Sequence, residues 1–451
     1  MNNFILAGGM VYTGDDAFTG SVIIEGEKIA AVVPGIPDES AYPPDRYQTI
    51  DCRGRMVMPG AIDEHVHFRD PGLTEKGDMA TESRAAVAGG VTSFFDMPNT
   101  RPQTTTRSAW EAKMSRAAEV SAANYAFFPG ATNSNASELL AMDTTRIPGI
   151  KVFMGSSTGD MLVDSNSTLS RLFSEFKGVI AVHAESESII RANTESLRSR
   201  YGDEIPLGAH HLLRSRRACL EATAKAVELA RHTGARLHVM HLTTADELAL
   251  FSPGQVENKQ ITCETCPHYL VFTADSVEAT GGLTKCNPAI KEEEDRRALL
   301  RAVRLGVIDV VATDHAPHLR SQKSGNALTA TSGMPSVQFS LPVMLQLAAE
   351  GNFSYDTVVE RMCTAPARLF GIEGRGFLRP GYWADVAVVA PCAPYEITDE
   401  MVVSRCGWTP YAGKRLEFKI EQTWVNGHCA WRDGRFDDSV HAARPLTFNN
   451  H

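Results

Sequence analysis

Met58-Pro-Gly-Ala-Ile-Asp-Glu-His-Val-His-Phe68, the stretch Met79–Ala88 and Val91-Thr-Ser-Phe-Phe-Asp-Met97 make one strand–helix–strand unit. The flanking runs are apolar and rich in β-branched or aromatic residues, whereas 79–88 is Ala/Glu/Arg-rich with helical spacing. The same kind of run returns at Asn124–Phe128, Ile150–Met154, Val179–His183, Arg236–Leu242, Ile261–Cys266 and Ile308–Thr313. Helical stretches such as Ala218–Ala230 and Arg296–Val303 separate them. Strands alternating with helices give an α/β fold with a parallel sheet, because parallel neighbours need a crossover. Eight repeats within residues 56–375 predict a (β/α)8 TIM barrel, closed by helices at Val337–Ala349 and Tyr355–Leu369.

Outside the barrel the texture changes. Val22–Val33 is two apolar pieces around a glycine turn, a hairpin pattern. Strand-and-turn segments reappear at Gly376–Gly381, Ala384–Val389 and Thr423–His428. Neither end alone carries enough apolar surface for a core, so residues 1–55 and 376–451 are expected to form one small β-rich composite domain. The 451 residues carry 44 Lys+Arg against 54 Asp+Glu, a net charge of −10, with no long basic run. That argues against nucleic acid or an anionic membrane surface as partner. No apolar run reaches the length of a membrane span, and the start lacks the basic region of a signal peptide. Nine scattered cysteines read as reduced thiols, so a cytoplasmic location is expected.

In such a barrel, functional residues project from the C-terminal ends of strands. The first strand ends in His65-Val66-His67-Phe68-Arg69, and residues two apart share a face. The fourth strand carries Lys151, the fifth ends in His183, the sixth in His241, and the eighth in Asp314-His315-Ala316-Pro317-His318. Imidazole and carboxylate are ligands that Zn²⁺ accepts, and their convergence at one rim predicts a metal site. Each histidine alone also reads as a hydrogen-bonded core residue. Lys151 lies in an apolar strand, where an unpaired ammonium is costly. With a lowered pKa its amine can take up CO₂ as a carbamate, an anionic group able to bridge two metals. The alternative is pairing with a nearby acid. With two metals a bridging hydroxide is available at neutral pH, and Asp314 can serve as general base, then acid, at an amide-like carbon.

These residues resemble a known family. Asp63-Glu64-His65-Val66-His67-Phe68-Arg69-Asp70-Pro71-Gly72, Asp96-Met97-Pro98-Asn99-Thr100, Lys285-Cys286-Asn287-Pro288 and Thr313-Asp314-His315-Ala316-Pro317-His318 are similar to segments of the cyclic amidohydrolases, most of all the dihydroorotases. The resemblance implies two Zn²⁺ per subunit, bridged by carboxylated Lys151 and a hydroxide. By position, His65, His67, Lys151, His183, His241 and Asp314 match the metal ligands, with Asp314 also the acid/base. Arg69, Asn99, Asn287 and His318 match the substrate-binding positions, and Arg69 suits a small anionic substrate. The implied reaction is reversible cyclisation of N-carbamoyl-L-aspartate to L-dihydroorotate in pyrimidine biosynthesis. The lysine at 151 departs from many bacterial dihydroorotases and resembles the hydantoinase branch. A homodimer is the assembly expected.

Rival readings are an allantoinase or dihydropyrimidinase/hydantoinase, and a metal-free scaffold, which should have lost ligands that this chain keeps. Gly155-Ser156-Ser157-Thr158-Gly159 fits a nucleophile elbow but leaves the histidines without a role. Cys263-x-x-Cys266 lacks the second pair a structural zinc needs. His238, three before His241, is expected to face away from the metals, and His268 to support a ligand or the core. His210, His211, His232, His428, His441 and His451 are expected to be structural or exposed. The Gly/Ser/Thr content of Ser321–Ser332 allows mobility, and the sequence leaves open whether this loop closes over substrate.

Overall fold

The computed structural model describes residues 3–155 and 161–449. Eight short parallel strands form the centre: β1 (Ala61–Val66), β2 (Val91–Asp96), β3 (Asn124–Phe127), β4 (Gly149–Phe153), β5 (Val179–His183), β6 (Arg236–Val239), β7 (Ile261–Thr265) and β8 (Val310–Val311). β1–β3 and β4–β8 are continuous ladders. Parallel bridges between Gly130 and Lys151 and between Val66 and His315 join their edges, closing the (β/α)8 barrel. Every residue of β1, β2, β4 and β5 is buried, as expected where side chains on both faces pack inward or under helices. Inside, Ile62, Phe95, Ala126, Phe128, Ala181, Val310 and Ala312 form one apolar cluster. Leu446 and Phe448 of the C-terminal tail join it, with the Phe448 ring 5.7 Å from that of Phe95.

The second body is a nine-stranded mixed sheet built from both chain ends. Met56–Pro59 lies at its middle, parallel to Asn3–Tyr12 and antiparallel to Val386–Glu396. The run Met58–Phe68, read above as one barrel strand, is thus two strands, with the turn at Gly60. A Cβ there would lie 2.2 Å from the Thr92 side chain, so only glycine fits. The helix Met79–Ala88, here α1, begins with a capping box from Asp78 to Thr81. Between Val386–Glu396 and Arg415–Val425 the chain leaves the sheet and crosses to the barrel. There the fully buried Trp408 donates Nε1–H to His318 O at 2.8 Å, and Arg405 N donates to Glu82 of α1 at 3.0 Å. Among the described residues, no helix is long and apolar enough to cross a membrane.

Candidate metal centre and active site

The strand ends bring the expected residues together. His67 Nε2 lies 2.9 Å and His65 Nε2 3.3 Å from Asp314 Oδ1, and the three ligand atoms fall within 4.8 Å of one another. His65 Nδ1 is 3.0 Å from Glu264 Oε1, and His67 Nδ1 is 2.7 Å from Asn99 Oδ1. Those acceptors take the Nδ1 protons, which fixes the tautomers and turns both Nε2 lone pairs toward the Asp314 carboxylate. Three electron-rich atoms in a buried space need a cation, so this donor set fits a metal. His183 Nδ1 and His241 Nε2 face each other at 2.8 Å and form a second pair of nitrogen donors. His183 Nε2 lies 3.1 Å from the buried Glu185, which Arg214 grips.

Electrostatics follow burial. Lys151 is fully buried, with Nζ 2.6 Å from Met240 Sδ, and burial pushes its ammonium down to about 8 against the pull of Glu264 and Asp314. Burial alone would raise Asp314, but positive charge on the His65 and His67 side, which a metal ion there would also supply, holds the carboxyl well below the usual range. Arg69 is buried beside His318, Nη2 to Nε2 3.1 Å, and its Nε donates to Pro317 O at 3.1 Å. Burial lowers Arg69 to about 10, which leaves it cationic near neutrality. Burial and the Arg69 charge push His318 far down, so its ring is neutral. Asn287 Oδ1 lies 3.1 Å from His210 Nε2.

Some expectations change. His238 does not face away from the barrel interior: its Nε2 bonds Glu64 at 2.8 Å and its Nδ1 bonds Thr262 at 2.8 Å, all of them buried. Strand parity fails between 238 and 241 because β6 ends at Val239 and His241 turns with φ 43°. His210, read as structural or exposed, is structural: it is buried against Cys286 O and Asn287. The segment 321–332 is tied down: the buried Lys323 Nζ donates to Lys285 O, Thr331 O and Gly333 O at 2.6–2.8 Å. His268 is buried, and neither ring nitrogen has a partner among the described residues. Cys263 and Cys266 are free thiols. Ser157 and His451 lie outside the described residues. Sequence reasoning missed the acids Glu264, Glu185, Asp63 and Asp96, although a carboxylate in an apolar barrel strand is itself a signal.

Comparison with known proteins agrees with this geometry. The model of the amidohydrolase family matches residues 56–429. An allantoinase from Bacillus velezensis is 33% identical over 92% of this chain and 90% of its own length. A dihydroorotase from Halobacterium salinarum is 35% identical over 83% of this chain and 86% of its own. Among solved structures, the L-hydantoinase (dihydropyrimidinase) of Arthrobacter aurescens superposes with a TM-score of 0.92 at 28% identity, covering 99% of this chain and 100% of that one. With a family match over most of its length and a buried His/Asp ligand set at the strand ends, the chain belongs to the amidohydrolase family as a metal-dependent cyclic amidohydrolase.

Proposed function

We propose that the chain is a dihydroorotase, interconverting N-carbamoyl-L-aspartate and L-dihydroorotate with two Zn²⁺. The observation that carries this reading is Arg69, a buried cation at the rim that also holds His67 and Asp314. A ring bearing a carboxylate repays that arrangement with a charge-assisted, bidentate bond, whereas allantoin and hydantoin offer no carboxylate. His65, His67 and Asp314 would hold one metal, His183 and His241 the other, and Lys151, as carbamate, both. Bound there, the metals supply Lewis acidity and lower the pKa of water. In the hydrolytic direction, water oxygen bonds to the amide carbon and the C–N bond breaks. Asp314 carries the proton from that water to the departing nitrogen. Arg69 and His318 hold the carboxylate side, and the Asn99 and Asn287 amides orient the ring.

Purified protein supplied with zinc is expected to hydrolyse dihydroorotate, followed by its ultraviolet absorbance, and to leave allantoin and hydantoin untouched. Turnover of either of those rings without dihydroorotate overturns the assignment. A second reading, an allantoinase or hydantoinase, draws on the relatives' divided names and on the hydantoinase structure.

A further inference from the structure

Among the described residues five non-glycine residues have positive φ, and three of them meet at this site: Arg69 at 68°, His241 at 43° and Asp314 at 47°. Side-chain-bearing residues avoid this region, so something must hold each turn. In every case the holder is a buried carboxylate on the next strand round the barrel. Asp96, on β2, accepts from Phe68 N at 2.7 Å, just before Arg69 and just past β1. Glu264, on β7, accepts from His241 N at 3.0 Å, just past β6. Asp63, on β1, accepts from Thr313 N at 3.1 Å and Thr313 Oγ1 at 2.6 Å, just before Asp314 past β8. Thr313 Oγ1 in turn accepts from His315 N at 3.0 Å, so both sides of Asp314 are fixed.

We infer that Asp63, Asp96 and Glu264 are positioning residues, each setting the left-handed turn of the preceding strand so that Asp314, Arg69 and His241 aim into the site. An ionised acceptor holds an amide more firmly than a neutral one, and Asp96 meets that condition through an ion pair. Lys113, buried on the helix Arg107–Val120, pairs with Asp96 and donates to Met97 O at 2.9 Å, which makes that charge tolerable inside. The Arg69 arm rests on the proposed substrate, whereas the zinc arm does not.

The test uses full-length Asp96→Asn, Glu264→Gln and Asp63→Asn, with Glu247→Gln as control. Glu247 is a buried acid bonded to Thr223 and Thr244, away from these turns. Asp96→Asn is expected to raise KM for dihydroorotate about tenfold, with kcat within about threefold and zinc retained. Glu264→Gln is expected to weaken zinc binding, read by chelator competition, by about 10- to 100-fold, through the His241 turn and through His65, whose Nδ1 it also holds. Asp63→Asn should lower kcat and zinc affinity together, because Asp314 serves both. If Asp96→Asn folds poorly, the Asp96→Asn/Lys113→Met pair, which removes the stranded ammonium, carries the same KM expectation. Equal losses in the control, an unchanged KM in the Asp96 variants, or unchanged zinc binding in Glu264→Gln overturn the inference. A wild-type enzyme that ignores dihydroorotate defeats the substrate reading instead, and the zinc arm still decides the positioning role.

Discussion

Lys151 has an acid/base position that only the folded chain creates. Its amine, lowered to about 8 by burial, is partly neutral at physiological pH, and only the neutral form reacts with CO₂. Lys151→Ala should therefore lose nearly all activity, with partial recovery when short-chain carboxylic acids are added to replace the proposed carbamate. Protein stripped of metal and resupplied with zinc should regain activity faster with added bicarbonate. At a fixed CO₂ pressure the sign of the pH effect follows from the amine: recovery speeds up as pH rises toward about 8 and levels off above it, because the neutral fraction grows and then saturates. Indifference to bicarbonate and pH would leave Lys151 as a plain lysine. At this scale much was readable beforehand. His65 and His67 share a face by the two-residue period of a strand, and Asp314 ends an apolar run. His238 and His241 were not readable in that way, because the left-handed turn at His241 breaks the period. The turn depends on Glu264, a contact from a neighbouring strand that no local pattern records.

The loop after β8 shows the same limit in an element. Its Gly/Ser/Thr content reads as freedom, yet the buried Lys323 Nζ donates to Thr331 O and Gly333 O within the loop and ties it to Lys285 O, which follows β7. Composition describes what a backbone can do alone, whereas a single long side chain folded inward decides what it does here. Lys323→Met keeps the apolar stem but strands those carbonyls, at a cost of about 1–3 kcal/mol for each one left buried and unpaired. A lowered melting temperature and faster amide exchange across residues 319–333 should report it. Full protection in that variant would show the loop to be held by something else. The Met58–Phe68 run illustrates the reverse case: a composition that suits a strand throughout says nothing about which sheet each half joins, and Gly60 makes the division.

At the scale of the whole molecule, the segment that leaves the sheet of the chain ends reaches the residues flanking the candidate site. The segment between Val386–Glu396 and Arg415–Val425 brings Ser404 and Arg405 to Glu82, whose carboxylate also accepts from His315 Nε2 at 2.8 Å, next to Asp314. It also seats Trp408 under His318, 90 positions away in the chain. Separations of this size are why the composite domain could be anticipated from two coreless ends while its reach into the site could not. Trp408→Phe keeps most of the buried ring but leaves His318 O without its donor. The His318 ring, 3.1 Å from Arg69, then loses one of the bonds that fix its backbone. The expected result is a stability loss of about 1–3 kcal/mol, from one buried carbonyl left unpaired. KM for dihydroorotate should rise several-fold while kcat holds, since Asp314 is supported separately through Asp63 and Thr313. A fall in kcat at constant KM would mean that the crossing segment acts on Asp314, the proposed acid/base, and not on the proposed carboxylate grip of Arg69 and His318.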